Sequence, residues 1–429
     1  QDELDLHAAL TLDPRSAPAH LALAERYLRE LEAARAERDT TGAARARARM
    51  HHHLDALPRR HPGRRALLAG FGPRRVRVCT DVPAEAVLER FEERGRRLVP
   101  VPVGSLGTTP VDVELEPGSY RLVLTAPDRD PLVLPVRPGD PEPFVPPGSS
   151  EPVVHVLPVP GLSGCPVPAG WFEAGGDPGA DDSLPLARVW VDAFVMARFP
   201  VTNAEYIAFL DALVDGGDEG AALRHAPRER AGAMGELGAL VYGRDTAGHF
   251  HCQVDADGDP WDPDEAVTLV DWEGASAYAA WRARVDGLPW RLPRELEWEK
   301  AARGVDGRLF PWGDHLDPSW CCMRDSHAGR RRTPVVQAFP TDASPYGVRG
   351  LGGGVRDWCA DAYRPDGPVL ADGREVLLPD DDPTANRVER GGAWYGFAKD
   401  SRSANRFSTA PTARFHNMGF RLCRSWRDA

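Results

Sequence analysis

Between residues 138 and 152 the chain reads PGDPEPFVPPGSSEP, a run so dense in proline, glycine and serine that it cannot continue a helix or a central strand. Proline fixes φ and withholds an amide donor, so such a run stays extended and builds no core of its own. It divides the chain unequally. Because 429 residues exceed what one hydrophobic core usually organises, the expected layout is several bodies. They are a helical segment over 1–70, a small β unit over 71–140, the linker over 141–155 and a larger domain over 156–429.

Ahead of the run, residues Leu4 to Leu68 are rich in Ala, Leu, Arg and Glu with apolar positions at helical spacing, as in HLALAERYLREL, which predicts two or three helices. The pattern LDPRSAPAHLALAERYL resembles a tetratricopeptide unit, in which a proline-bearing turn precedes a helix with small and aromatic packing residues. His51, His52 and His53 are consecutive, so on a helix they point in different directions and cannot converge on one ion; a solvated helix end is expected. After Gly70 the period changes to two. Val111, Val113 and Leu115 precede Pro117-Gly118, and Tyr120, Leu122 and Leu124 follow it, which predicts a hairpin. This stretch resembles the small β-sandwich called the PEGA domain, and its expected role is that of a spacer.

The remainder is loop-heavy, with three helices legible in it. Thr202 and Glu205 form a capping box ahead of Tyr206, Phe209, Leu210 and Leu213 on one face. Asp271 is the N-cap of a helix whose buried stripe is expected to be Tyr278, Trp281 and Val285. A third helix starts at Pro293 and stops at Gly304. A balance of 52 basic against 64 acidic residues disfavours nucleic acid or anionic lipid as partner, and no stretch is apolar enough for membrane insertion. Seven cysteines with no CxxC pair predict packed thiols, the adjacent Cys321 and Cys322 included, and a reducing cytoplasmic location. The chain opens without an initiator Met, which reads as a piece of something longer.

Eight ordered blocks carry a resemblance. They are VPAGWFEAGGDP (167–178), FPVTNAEYIAFL (199–210), DWEGASAYAAW, WRLPRELEWEKAARG (290–304), FPWGDHLDP (310–318), SPYGVRGLGGGVRDWCADAY (344–363), RGGAWYGFAKDSRSANR (390–406) and GFRLCR (419–424). In order they resemble the formylglycine-generating enzyme (sulfatase-modifying factor) family, which implies an α+β, loop-rich, C-type lectin-like domain. The family's oxidase holds copper with two cysteines between its Gly-Gly-aromatic and Gly-Phe-Arg blocks, since soft thiolates select Cu(I). Here Ala393 to Met418 contains no cysteine, and Cys359 and Cys423 match neither position, so the expectation leans away from an enzyme. The branch resembling ergothioneine sulfoxide synthases uses three histidines, and the helical segment lacks the His-x-x-x-His pair that would supply two. His249, His251, Cys252 and His225 are expected to be ordinary loop residues.

The resemblance also implies calcium, held by the Asp357 carboxylate with carbonyls of Gly350, Gly353 and Val355, although the family's Asn side chain is missing from GLGGGVRDWC. No other cofactor is expected. The acidic run DADGDPWDPDE (255–265) departs from an EF-hand at Pro260 and is expected to be a solvated loop.

In the last forty residues fixed-looking elements alternate with short clusters: Tyr395, Gly396, Phe397; Asp400, Ser401; Phe407, Ser408, Thr409, Ala410; Thr412, Ala413; and Phe415, His416, Asn417. The layout resembles the variable region of proteins diversified by retroelements. Adenine-directed mutation of an Asn codon cannot yield Lys, Glu, Gln, Met or Trp, and none of these stands in the clusters. Aromatics among small polar residues suit a binding surface, so these clusters are the expected ligand site, while Trp394, Arg402, Arg406 and Phe420 are expected to hold the fold. The reading is a non-catalytic module for a protein ligand. Its alternatives are a formylglycine-generating oxidoreductase and the sensor region of a bacterial Ser/Thr kinase, because helical repeats and PEGA-like spacers accompany such domains behind kinases, so an upstream kinase or other effector domain is an expected partner.

Overall fold

A computed structural model describes residues 3–36, 40–58, 60–71, 73–139, 141–231, 236–254, 258–327, 332–379 and 382–426. They form two compact units, residues 1–74 with 114–117 and residues 75–113 with 118–429. The first unit contains α1 (Glu3–Leu12), α2 (Ala17–Ala36), α3 (Thr40–Ala56) and α4 (Pro62–Phe71), more than the two or three helices expected. Pro14 accounts for one extra break: it lacks an amide and constrains Asp13, so α1 stops at Leu12 and α2 restarts at Ala17. Leu23, Tyr27 and Leu31 of α2 meet Ala46, Met50 and Leu54 of α3, both sets four residues apart on one helical face. His53 continues that stripe. It is buried beside Leu54, its Nδ1 lies 3.0 Å from Nδ1 of His20, and its ring stacks on Tyr27 at 5.7 Å. The expected solvated histidine end is therefore corrected for His53, whereas His52 is exposed.

The chain continues, mostly within the second unit, through β1 (Arg74–Thr80), β2 (Glu85–Arg94), β3 (Arg97–Thr108), β4 (Val111–Leu115), β5 (Tyr120–Thr125), β6 (Leu132–Val136) and β7 (Val154–His155). These make two sheets, of order β4-β1-β7 and β3-β2-β5-β6. The expected hairpin across Pro117-Gly118 is thus not one. β4 pairs with β1, β5 pairs with β2 and β6, and the Pro-Gly corner carries the chain from one sheet to the other. Alternation predicted both strands but could not name their partners.

The proline-rich run also differs from expectation. Phe144 is buried, its carbonyl accepts from Val153 N (2.9 Å), and the carbonyl of Val145 accepts Trp171 Nε1 (2.7 Å). Beyond it β7 adds to β1 in parallel. One buried aromatic and two cross-bonds turn an extended segment into a packed strap.

The rest of the unit contains β8 (Cys165–Val167), β9 (Gly170–Ala174), β10 (Ala187–Val191), β11 (Phe194–Met196), α5 (Asn203–Asp215), α6 (Glu219–His225), β12 (Arg228–Ala231), β13 (Glu236–Leu240), β14 (Gly243–Arg244) and β15 (Phe250–His251). There follow α7 (Trp272–Asp286), α8 (Glu295–Arg303), β16 (Arg356–Ala362), β17 (Leu370–Ala371), β18 (Arg374–Glu375), β19 (Arg387–Arg390), β20 (Arg406–Thr409), β21 (Met418–Gly419) and β22 (Cys423–Ser425). Short strands and long connections make this an α+β, loop-rich body, as the resemblance implies.

Each predicted helix is present. The capping box of Thr202 and Glu205 opens α5, and Asp271 caps α7 through Gly274 N. Arg294 precedes α8 and Gly304, at φ 67°, ends it. Val285 is corrected: it is 61% exposed, because α7 buries Tyr278 and turns its last turn outward. α8 is buried throughout and packs Trp298, Ala301 and Ala302 against Val348, Cys359, Val388 and Cys423. Part of the acidic run, residues 255–257, lies outside the described residues.

The β1–β7 region is more than a spacer. Ser119 Oγ donates to Asp306 Oδ2 (2.5 Å), Arg137 to the Asp306 carbonyl (2.8 Å), and Leu98 N to the Trp312 carbonyl (2.9 Å). Arg308, ion-paired with Asp306 at 2.6 Å, lies 4.6 Å from the centroid of the Phe91 ring.

Candidate ligand-binding surface

The mount is a sheet of order β20-β19-β16-β21 tied down by buried arginines. Arg390 bonds Glu299 (2.7 Å) and Glu295 (3.3 Å), and Arg406 bonds Glu295 (2.5 Å). Arg402 holds both oxygens of Asp177 (2.8 and 2.9 Å). Phe420 packs edge-on to Tyr206 and Tyr278. Three of the four expected scaffold residues therefore hold the fold. The Gly391-Gly392 pair is dictated by proximity: a Cβ on Gly392 would stand 2.2 Å from the Gly352 carbonyl, and Gly391 sits at φ 94°.

The chain leaves that mount at Trp394 and reaches solvent. Tyr395 is 50% and Phe397 54% exposed, and His416 is exposed as well. Trp394, expected to be scaffold, is half-buried and joins them: its Nε1 donates to the His416 carbonyl (2.9 Å) and its ring lies 5.7 Å from Tyr395 and 5.2 Å from His416. The His416 ring is 6.0 Å from Tyr395, and partial burial moves its pKa down. Phe397 carries the Arg324 guanidinium at 4.3 Å, and Arg324 N donates to the Gly396 carbonyl (3.1 Å). These rings are held in place before any ligand arrives.

Other expected site residues are placed differently. Gly396, Asp400 and Ser401 are buried: Asp400 Oδ2 accepts Phe397 N (2.9 Å), Ser401 Oγ lies 3.8 Å from Cys321 Sγ, and a Cβ on Gly396 would crowd Ala393 O and Asp400. They shape the loop and do not face a ligand. Phe407, Ser408 and Thr409 are half-buried on β20, opposite Glu389, Val388 and Arg387. Thr412 and Ala410 are exposed, whereas Ala413, Phe415 and Asn417 are half-buried. The carbonyls of Phe415 and Asn417 accept from Leu269 N (3.1 Å) and Arg356 N (2.9 Å).

Two groups at this end were not legible from the sequence, Arg324 and Arg356. Arg356 lies 3.5 Å from the centroid of Phe407 and 3.6 and 3.9 Å from Asp400 and Glu389. Burial pushes Glu389 up to about 7 even though Arg356 opposes it. No local pattern marks such a residue, since its partners come from three later segments.

All seven cysteines are free, burial raises the pKa of Cys321, Cys359 and Cys423 and pushes Cys322 up to about 12, and Cys322 Sγ lies 3.2 Å from His327 Nε2. Among the described residues no three His, Cys, Asp or Glu side chains converge as an ion site. His249 instead bonds Asp215 at 2.8 Å.

The carbonyls and the carboxylate expected to hold calcium lie in different surroundings. Gly350, Gly353 and Val355 do line a common cavity of about 30 Å³, but the carboxylate beside it is Asp342, which accepts Leu351 N (3.2 Å) and Gly352 N (3.0 Å). Asp357 instead accepts Arg421 Nε (2.6 Å) and Trp298 Nε1 (2.8 Å), and Arg421 also takes the Gly350 carbonyl (2.8 Å). Arg421 thus occupies one Asp357 oxygen and the Gly350 carbonyl, while the buried Asp357 Oδ1 has no hydrogen-bond partner among the described residues.

Comparison with known proteins agrees with the architecture. The family described as sulfatase-modifying factor enzyme 1-like domain matches residues 162–426. The formylglycine-generating enzyme of Bos taurus is 30% identical over 287 residues, covering 60% of this chain and 73% of the enzyme. The serine/threonine-protein kinase pkn1 of Chlamydia pneumoniae is 29% identical over 261 residues, covering 60% of this chain and 37% of the kinase. Among solved structures, Treponema denticola variable protein 1 is 19% identical, with a TM-score of 0.42 over 61% of this chain and 94% of that one.

Proposed function

The chain belongs to the sulfatase-modifying factor enzyme 1-like family, and from that premise we propose that it has kept the family's fold as a display mount and serves as a non-catalytic module that binds a protein ligand. The observation that carries this reading is the ordered, solvent-facing group of Tyr395, His416, Trp394 and Phe397. It occupies the interval in which the resemblance places the oxidase's copper cysteines. Rigid aromatics offer contact area at little entropic cost, and Arg324 beside Phe397 adds a cation for an acidic or polar rim. The matching stretch in a kinase supports a role beside an effector domain. Retroelement diversification of the C-terminal clusters remains part of the proposal; its check is a near-copy of codons 390–421, differing at adenines, in the neighbouring DNA.

Replacing Tyr395, Phe397 and His416 together with Ser tests the reading. The melting temperature should stay nearly unchanged, because exposed substitutions usually act within about 0.5 kcal/mol. Binding to a partner recovered by affinity capture should fall by about 2 kcal/mol or more for each central aromatic. Unfolding of the triple variant, undiminished binding, or oxygen consumption on a Cys-containing peptide with bound copper would each overturn it.

A further inference from the structure

A second site stands apart from the aromatic surface. Between the start of α8 and the hairpin of β17 and β18 lies a cavity of about 220 Å³. Three arginines (Arg291, Arg294, Arg364) and three carboxylates (Glu295, Asp361, Glu375) line it, so its formal charge balances. Most of these are not spent on one another. Arg291 is held by Glu297 (2.6 and 2.7 Å) and Glu295 by Arg406 and Arg390. Asp361 gives one oxygen to Glu295 N (2.6 Å). The side chains of Arg294, Arg364 and Glu375 make no hydrogen bond or ion pair among the described residues. Burial, with the Asp361 charge beside it, pushes Glu375 up to about 7, and burial pushes Asp361 up to about 6 despite the Glu295 amide. Arg294 stands near enough to draw the pKa values of both carboxylates down without hydrogen-bonding either, and Arg364 is exposed to solvent. Val369, Val376, Leu377 and Leu378 also line the cavity while remaining exposed to solvent.

Two crowded carboxylates beside two arginines without a hydrogen-bonded partner favour a ligand that carries both charges. We propose that this cavity binds a small aliphatic zwitterion the size of one free amino acid: its ammonium between Asp361 and Glu375, its carboxylate against Arg294 and Arg364, and its alkyl group under Val376 and Leu377. The polar groups fix orientation and the apolar rim supplies contact area, the usual division of labour in a small-molecule site.

Titration calorimetry of the full chain with L-leucine is the test, against 4-methylpentanoate (no amine), isopentylamine (no carboxylate) and glycine (no alkyl group). Leucine should bind saturably and each analogue about tenfold more weakly or worse. Glu375→Gln and Arg294→Gln should each weaken leucine by about tenfold with unchanged circular dichroism, since neither side chain holds a partner in the fold. Because an ammonium favours ionised Glu375, binding near pH 7 should release a proton and the heat should vary with the buffer's ionisation enthalpy. The triple Ser variant of the aromatic surface should bind leucine like the wild type, which separates failure of the two readings. No saturation by about 10 mM leucine, equal binding of the analogues, or wild-type affinity in both variants would remove the site.

Discussion

Asp357 and Arg421 illustrate how a residue's identity can be legible while its job is not. The block GLGGGVRDWC and the block GFRLCR are both recognisable, but that one carboxylate oxygen of Asp357 accepts from Arg421, 64 residues later, is a fact of the fold. Both side chains are fully buried, and burial raises the Asp357 pKa against the opposing pull of Arg421. Removing one partner of such a pair strands the other charge in a dry core, at a cost of about 3–5 kcal/mol. Asp357→Ala should therefore lower the midpoint of chemical denaturation strongly, and by the same amount with calcium and with chelator. A loss that appears only with calcium present would restore the metal to this carboxylate. Gly396 and Ser401 make a related point. Cluster spacing selected them as surface, yet short loops need buried polar anchors as well as display positions, and sequence spacing does not separate the two.

Among the elements, what is local was legible and what is long-range was not. Capping boxes, the Asp271 cap and the Gly304 stop involve residues within four positions of one another, and each stands where the sequence puts it. The partners of β4 and β5, and the burial of His53, depend on segments far away. His53 also yields a pH prediction. Burial first, then the positive charge that His20, His52 and His7 would carry, lowers its pKa from 6.5 to about 4. A histidine depressed in the folded state contributes its full stability above the unfolded value of 6.5 and loses it as the pH falls toward 4. Between pH 6.5 and 5 this costs about 2 kcal/mol. Helical ellipticity should therefore melt at lower temperature at pH 5 than at pH 7.5, and His53→Gln, which keeps a hydrogen-bond partner for His20, should shrink that difference. An unchanged pH dependence in the variant would assign the effect to another group, such as His155, which burial lowers to about 3.

At the scale of the whole second unit, the β1–β7 region is joined to the C-terminal part by a buried charge. That charge is Asp306, which partners from both sides hold in place. Burial alone would raise the Asp306 pKa, but Arg308, Ser119 and Arg137 hold it well below the usual carboxylate range, and two of those three partners come from the β region. Phe91 closes the contact over Arg308. If this joint makes one cooperative body, the β region and the rest of the unit should unfold together. The composition supplies separate reporters, since residues 71–140 contain no tryptophan. Fluorescence of the tryptophans follows the C-terminal part, and amide exchange of β2 and β5 follows the β region. The two denaturation curves should coincide in the wild type and separate in Arg308→Ala, which leaves Asp306 buried without its main partner at a cost of about 3–5 kcal/mol. Curves that are already separate in the wild type would return the β region to the status of a tethered spacer.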